Sequence, residues 1–251
     1  MIKKYLLFIV LVLTTELYSQ MQFNVLIFSK TNGYRHESIL SGVDAIRALG
    51  TRHQFDVFWT EDASVFTDQE LEKYDVVLFL NNDGDILNEA QQKAFKHFIN
   101  QGKGFVGIHG ASAAEQNWDW YGQLVGRLFI KHPKVQTARL NRLDAEFPGM
   151  SRFPEQMLWT DEWYVFGEEK SPKLHYLLAV DEKTYDTQRG WKEGEDHSMG
   201  EFHPVAWYQE VHGGRSFYTA LGHISSSFED PVFLEHIYGG IFWTATGIGL
   251  E

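Results

Sequence analysis

Apolar runs alternate with amphipathic stretches along the first half of the chain. Residues 23–29, 55–59 and 74–80, and the run that ends at His109, are almost continuously apolar, which is typical of strands buried on both faces. Between them, residues 39–49, after a candidate cap at Ser38, and residues 88–101 carry apolar side chains at helical spacing. Thr67 and Glu70 have the spacing of a capping box before a short helix. This alternation predicts a mainly parallel sheet of right-handed βαβ units.

The pattern changes after Gly126. Residues 127–203 are rich in glycine, proline, histidine, tryptophan and charged residues, with short strand-like runs at 135–143, 163–166 and 174–180. They predict a β-rich antiparallel insertion over the edge of the sheet, within the same domain because no linker brackets them. Residues 205–209 and 215–221 predict a hairpin that turns at 212–214, and residues 231–246 predict a closing helix. The whole pattern indicates an α/β fold.

The first 19 residues are typical of a secretory signal peptide. Lys3 and Lys4 precede an apolar run from Tyr5 to Leu13, and Ser19 suits signal peptidase. An uncleaved membrane anchor is the alternative, but the run is shorter than the roughly 20 residues that cross a bilayer. We therefore expect a periplasmic or secreted protein in which residues 20–251 form one domain, without stable membrane association after cleavage.

The net charge and the absence of cysteine limit the binding partners and the chemistry that this chain can have. The chain has 22 basic and 34 acidic residues and a formal charge of −12, which becomes −13 when Lys3, Lys4 and Glu16 leave with the signal peptide. This balance disfavours nucleic acid, because phosphate binding needs a basic face, and favours a neutral small molecule. The absence of cysteine excludes disulfides, thiolate metal sites and thiol nucleophiles. A homo-oligomer is left open.

The candidate chemistry centres on histidines at the ends of predicted strands. Gly107-Ile-His109-Gly-Ala has the rhythm of a strand-to-helix elbow, which lifts one side chain above the edge of a sheet. In a doubly wound sheet the loops after the first, third and fourth strands converge on one crevice. Those loops hold Arg35, His36, Asn82, Asp83 and His109. A single histidine could equally hold a turn, but convergence favours a functional role for His36 and His109.

Further candidates follow along the chain. Asp161 and Glu162 are adjacent, so in a regular strand only one of them faces a site, where it could act as a general base or complete a metal site. His223 stands at the end of another predicted strand. Imidazoles suit a divalent metal such as zinc, and the histidines available for one are His36, His109, His132 and His223. Loop aromatics such as Trp118 and Trp163 could stack on a sugar ring.

Seven segments carry a family resemblance. In chain order they are Gly33-Tyr-Arg-His-Glu-Ser38, Gly107-Ile-His-Gly-Ala111, Gly126-Arg-Leu-Phe-Ile-Lys-His-Pro133, Thr160-Asp-Glu-Trp-Tyr164, Pro204-Val-Ala-Trp207, Gly214-Arg-Ser-Phe-Tyr-Thr-Ala-Leu-Gly-His223 and Gly240-Ile-Phe-Trp243. Together they resemble the ThuA-like, or trehalose utilisation, family. The resemblance implies a class I glutamine-amidotransferase-like fold, a flavodoxin-like three-layer sandwich. True amidotransferases carry a cysteine at the elbow, where this chain has His109, so thiol-dependent glutamine hydrolysis is excluded.

The family is associated with sugar metabolism, often beside oxidoreductases that form keto-sugars, and its members are frequently labelled glycosyl hydrolases. The first hypothesis is therefore an exported hydrolase or lyase that acts on a glucoside or keto-disaccharide. Its catalytic candidates are His36, His109, Glu162 and His223. Its candidates for substrate binding are Arg35, Asn82, Asp83, Trp118, Asp161 and Trp163. The second hypothesis is a noncatalytic sugar-binding or accessory protein, because the superfamily's nucleophile is missing. A flavoprotein is disfavoured, since residues 29–33 only loosely imitate a phosphate-binding loop.

Overall fold

The computed structural model describes residues 21–192 and 194–249. The predicted signal peptide lies outside these residues, and it stays a prediction, as does the single domain over residues 20–251. Within the described part of the chain, no helix is both long enough and apolar enough to cross a membrane.

Eleven strands and five α-helices follow one another along the described chain. The strands are β1 (Asn24–Phe28), β2 (Asp56–Thr60), β3 (Val76–Leu80), β4 (Gly104–Ile108), β5 (Phe129–Lys131), β6 (Gln136–Arg142), β7 (Gln156–Asp161), β8 (Val165–Phe166), β9 (His175–Asp181), β10 (Pro204–Val211) and β11 (Gly214–Thr219). The helices are α1 (Ile39–His53), α2 (Asp68–Leu71), α3 (Glu89–Asn100), α4 (Asp119–Val125) and α5 (Pro231–Thr246).

Nine of the strands form one mixed sheet in the order β2-β1-β3-β4-β11-β10-β9-β6-β7. The first five strands of that order are parallel to one another, and every residue of β3 and β4 is buried. Strand order reverses between β1 and β3, which is a topological switch point of the kind that binds ligands. The predicted α/β class with a mainly parallel first half is confirmed.

Helices pack on both faces of the parallel strands. The ring of Phe105 on β4 lies 6.0 Å from Phe95 of α3 and 5.9 Å from Tyr121 of α4. The other face packs closely against α5, because a Cβ atom added at Gly104 would lie 2.6 Å from the carbonyl oxygen of Thr244. The more specific flavodoxin-like layering stays a prediction.

The β-rich segment differs from the expectation in its position. Strand β9 pairs with β10, β6 with β9 and β7 with β6, all antiparallel, so these strands extend the sheet instead of covering its edge. Strand β7 and helix α4 are absent from the sequence-based prediction. Residues 163–166 contain only β8, which pairs with β5 in a separate two-stranded sheet.

The structure shows how the predicted helix caps are formed. Asn88 and Gln91 form a capping box at α3, and Thr67 accepts a hydrogen bond from the backbone N–H of Glu70. Ser38 precedes α1 but does not cap it with its side chain. Its hydroxyl donates instead to the carbonyl oxygen of Gly222 at 2.9 Å. That bond joins the loop after β1 to the loop after β11.

Candidate active site

His109 stands where β4 ends and the chain turns sharply. Its backbone φ is +46°, in the left-handed region that few side chains adopt, and a 3-10 turn follows over His109–Ala113. The Tyr218 hydroxyl donates to the carbonyl oxygen of His109 at 2.9 Å. A Cβ atom added at Gly110 would lie 2.8 Å from the carbonyl oxygen of Asn82, so the turn requires glycine there. The elbow predicted from the sequence therefore fixes an imidazole above the sheet edge.

Four side chains converge at this edge. Each offers one nitrogen or oxygen atom, and the four atoms lie within 4.8 Å of one another. The residues are His36 from the loop after β1, His109 after β4, Glu162 after β7 and His223 after β11. Three of them are buried and His223 is half-buried. The structure thus brings together all four residues predicted as catalytic.

The converging atoms approach without hydrogen bonding. Nε2 of His109 lies 3.4 Å from Oε2 of Glu162, and Nδ1 of His223 lies 3.1 Å from the same oxygen. Neither contact meets the geometry of a hydrogen bond, and Nδ1 of buried His36 also lacks a partner. Buried polar atoms are normally paired, so these three nitrogens need a partner that the protein does not supply.

The tautomer of His109 follows from its other nitrogen. Nδ1 lies 2.6 Å from the carbonyl oxygen of Ala220, which can only accept, so Nδ1 carries the proton. In the neutral ring, Nε2 then carries the lone pair that a metal ion would take. Metal-binding histidines are commonly oriented in this way, with one nitrogen donating to a carbonyl group and the other binding the metal.

The pKa values of three cluster residues are shifted in different directions by burial and by their neighbours. Burial, reinforced by His109 and His223, lowers the pKa of His36 to about 2, so its imidazole is neutral. Burial raises the pKa of Glu162, but His109 and His223 outweigh it and hold that pKa below its usual range. Burial lowers the pKa of His223, yet Glu162 more than offsets it and the net shift is upward. The cluster is thus a carboxylate surrounded by imidazoles.

Asp161 positions the backbone around the cluster. Its Oδ1 accepts from the backbone N–H groups of Glu162 at 2.9 Å and His223 at 3.1 Å. Its Oδ2 accepts from the N–H of Gly222 and from Nε1 of Trp159, both at 3.0 Å. The side chain is fully buried. These contacts tie the Glu162 segment to the His223 loop, and they leave Asp161 no open position towards a substrate.

His132 lies beside the four-residue cluster and not within it. Its Nδ1 is 3.3 Å from Oε1 of Glu162, the oxygen opposite the one near His109 and His223. The same Nδ1 lies 2.8 Å from the carbonyl oxygen of Pro133, which can only accept, so Nδ1 carries the proton. In the neutral ring, Nε2 would then carry the lone pair.

A cavity of about 400 Å³ reaches the cluster at His36 and Glu162. Its polar lining consists of His36, Asp83, His132 and Glu162. Its aromatic lining consists of Tyr34, Phe129, Tyr164 and Trp191. The ring of Tyr164 also lies 4.1 Å from that of His109. The sequence-based site lacks these four aromatics, although Tyr34 and Tyr164 occur in the segments that carry the family resemblance.

The remaining predicted substrate-binding residues are placed differently. Arg35 is half-exposed and forms an ion pair with Glu61 at 2.6 Å. Asn82 is buried and donates to the carbonyl oxygen of Lys30 at 3.1 Å. Trp118 stacks on Trp120 at 4.8 Å, and Trp163 is fully buried with its Nε1 donating to the carbonyl oxygen of Gln136. Of the predicted substrate-binding set, Asp83 is the residue that lines the cavity.

The donor set suits a divalent metal ion. Three imidazoles and one carboxylate are ligands that zinc takes readily. Three nitrogens in the set are buried without hydrogen bonds, which is the condition expected of atoms arranged around a cation. A ligand set of His36, His109, Glu162 and His223 fits this geometry better than one that includes His132.

The fold and site thus define an α/β protein with a histidine–carboxylate cluster at the carboxyl edge of its parallel strands. The model of the ThuA family, described as trehalose utilisation, matches residues 24–244. The chain belongs to the ThuA family, and this membership supports a role related to carbohydrate.

Solved structures with a similar fold include two ThuA-like proteins. The one from Bacteroides uniformis has 20% identity and a TM-score of 0.74, covering 90% of this chain and 92% of its own. The one from Parabacteroides merdae has 19% identity and a TM-score of 0.69, covering 91% and 92%. A beta-galactosidase from Bacillus circulans has 14% identity and a TM-score of 0.54 over 89% of this chain and 30% of its own. No curated protein matches the sequence significantly.

Proposed function

We propose that this protein is an exported, metal-dependent hydrolase or lyase that acts on a glucoside or on its keto form. The observation that carries the proposal is the convergence of His36, His109, Glu162 and His223 within 4.8 Å. Three of their nitrogens are unpaired, and His36 and Glu162 line a cavity. Family membership supplies the substrate class. A flavodoxin-like arrangement of layers belongs to the same proposal, because the parallel strands run in a doubly wound order.

The four clustered residues would hold the metal, and the ion would polarise a sugar oxygen or a bound water. Glu162 brings one negative charge to a site whose other three ligands are imidazoles. Asp161 orients two of these ligands through the backbone of Glu162 and His223. His132 and Asp83 line the cavity outside the ligand set, so they are the groups available to exchange protons with the substrate.

Turnover tests the proposal. Purified protein lacking residues 1–19 is incubated with trehalose, other glucosides and their keto forms, and the products are identified by mass spectrometry. We expect H109A and H36A to lower turnover by about 10²-fold or more, as loss of a metal or proton-transfer group does. The exposed His97 on α3 provides a matched control, and H97A should keep full activity. Full activity in H109A and H36A would show that the site is wrong.

A noncatalytic sugar-binding protein is the second candidate, favoured by the absence of the superfamily's cysteine nucleophile. It would give saturable binding without product in the same incubations, so detection of product removes it. Export is tested separately by the mass of the protein from the periplasm or medium, which should begin at Gln20. Gel filtration of that material would decide whether it is a homo-oligomer.

A further inference from the structure

Two exposed aromatic rings stand at the opening of the cavity. Tyr34 is 60% exposed and Trp191 is 72% exposed, yet both line the same cavity as the buried His36 and Glu162. Isolated exposed apolar residues are common on protein surfaces. Two large rings at the opening of one polar cavity are better explained by a ligand, because stacking would bury apolar surface that is now in water.

Tyr34 is held in place by its neighbours. Its backbone N–H donates to Oδ1 of Asp83 at 3.1 Å, and its ring stands edge-on to His36 with centroids 4.8 Å apart. The preceding residue is packed just as closely, since a Cβ atom added at Gly33 would overlap Oδ1 of Asp83. The exposed ring is therefore a fixed part of the wall next to the cluster.

The segment that carries Trp191 is also anchored. The backbone N–H of Lys134 donates to the carbonyl oxygen of Arg189 at 2.8 Å. Gly190 packs against the buried ring of His197, where an added Cβ atom would lie 2.3 Å from Cε1. The Nζ atom of Lys134 lies 5.0 Å from the centroid of the Trp191 ring, a cation–π contact that orients it. These contacts fix the backbone beside Trp191 and orient its ring, so the exposed ring has a defined position at the cavity.

The charge of the lining indicates a neutral ligand. The described residues that line the cavity include the carboxylates of Asp83 and Glu162 and no lysine or arginine. Outside the cluster, a phosphorylated or carboxylated sugar would find no lysine or arginine in this described lining to pair with, and the nearby ammonium of Lys134 faces the Trp191 ring instead. The volume of about 400 Å³ lies within the roughly 300–1,000 Å³ of pockets that take drug-sized ligands, so a two-ring molecule is within its capacity.

We propose that Tyr34 and Trp191 bind the outer ring of a neutral two-ring glycoside while its inner ring reaches the histidine cluster. The inference rests on the proposed function and narrows its substrate class: the ligand is a disaccharide or a glycoside with a ring-bearing leaving group, and not a monosaccharide. The two aromatic rings would pack against the apolar surfaces of the outer sugar.

Calorimetric titration tests the proposal with two groups of probes. Trehalose, maltose and cellobiose represent two-ring ligands, and the methyl α- and β-glucosides represent single rings. We expect W191A and Y34A each to weaken disaccharide binding by about 5–10-fold, the usual worth of one aromatic contact, and methyl glucoside binding by less than about twofold. W191F, which keeps a ring, should retain most of the affinity.

Leu158 provides the matched control. It is 71% exposed on β7 and lies outside the cavity lining, so L158A should bind all probes as the unchanged protein does. Disaccharide affinity that W191A leaves unchanged, or equal weakening of both probe groups, would overturn the outer-ring site while the proposed function stands. If the unchanged protein binds neither these probes nor their keto forms, both the outer-ring site and the proposed sugar function are wrong.

Discussion

Nδ1 of His223 lies 3.1 Å from Oε2 of Glu162, and no hydrogen bond joins them. A pair evolved as a simple salt bridge would align the N–H with the carboxylate lone pair. Here the same carboxylate oxygen also lies 3.4 Å from Nε2 of His109, so two nitrogens approach one oxygen without bonding to it. A cation among the three atoms would satisfy them all.

Metal content is the most direct test of this arrangement. The protein, purified from zinc-supplemented cells, should carry about one divalent ion per chain by inductively coupled plasma mass spectrometry. H109A and E162Q each remove a ligand, and we expect either change to lower metal affinity by at least about tenfold. H132A should keep the metal, because His132 is not among the four converging residues. Equal loss in H132A would mean that the ligand set includes His132.

Removal of the metal should lower thermal stability. An ion bound only by the folded state at 100 times its dissociation constant adds about 2.7 kcal/mol. For a chain of this size we therefore expect chelation to lower Tm by roughly 5–10 °C, as measured by differential scanning calorimetry. The same chelator should lower the Tm of H109A by about half as much or less, because a site tenfold weaker adds only about 1.4 kcal/mol at the same ion concentration. A Tm that does not respond to chelation in the metal-loaded protein would argue against the site.

Asp161→Asn should destabilise the protein although it hardly changes shape. The carboxylate accepts four hydrogen bonds, whereas the amide nitrogen of asparagine would point its own hydrogens at two donors. Two buried donors then lose their acceptor, which costs about 2–4 kcal/mol in the free energy of unfolding. Urea denaturation measures this loss. Trp159→Phe removes a single donor, and the lost hydrogen bond should cost about 1 kcal/mol. A loss of stability in D161N that is smaller than the loss in W159F would contradict the positioning role of Asp161.

The parts of the fold that the sequence predicts are those with an unambiguous local pattern. The apolar runs of β1, β3 and β4 are buried on both faces, and the turn at His212 and Gly213 joins β10 to β11 as expected. Strand β7 lies at the edge of the sheet, where its Leu158 faces solvent. Apolar and polar residues therefore do not alternate along its sequence as they do in a typical half-buried strand. Edge position is a property of the whole sheet and cannot be seen locally.

The residues of the candidate site likewise fall into those that the local sequence predicts and those that depend on long-range contacts. Strand-end geometry predicts that His36 and His109 meet, because both follow parallel strands. The arrival of His223 and Glu162 depends on β11 lying beside β4 and on Asp161 bridging two distant loops, which are long-range relationships. Trp191 lies in a loop whose local sequence resembles a solvated charge run, so only the tertiary anchors reveal its place at the cavity.

A methyl group added at Gly110 should strain the elbow. The new Cβ atom would meet the carbonyl oxygen of Asn82 at 2.8 Å, and both are backbone positions that cannot rotate away. We expect G110A to lower the free energy of unfolding by about 1–3 kcal/mol and to weaken metal binding. Gly122 in α4 gives the matched control, since its added Cβ atom would meet side chains at 3.4 Å or more. G122A should be neutral or gain up to about 1 kcal/mol, and a stable G110A would contradict the steric argument.

His236 should make the protein less stable in mild acid. It lies fully buried on α5 beside the rings of Phe153 and Phe217, and burial lowers its pKa from 6.5 to about 3. As pH falls below about 6.5, the unfolded chain takes up a proton that the folded chain refuses, so stability is lost between about pH 6.5 and 3. The loss from this residue approaches about 1.4 kcal/mol per pH unit. Urea denaturation at pH 7, 6 and 5 should therefore show that the free energy of unfolding falls less steeply with pH in H236L than in the unchanged protein. H97L alters an exposed histidine on α3 and should leave the pH dependence of the free energy of unfolding unchanged. Equal declines in H236L and the unchanged protein would show that His236 is protonated without unfolding.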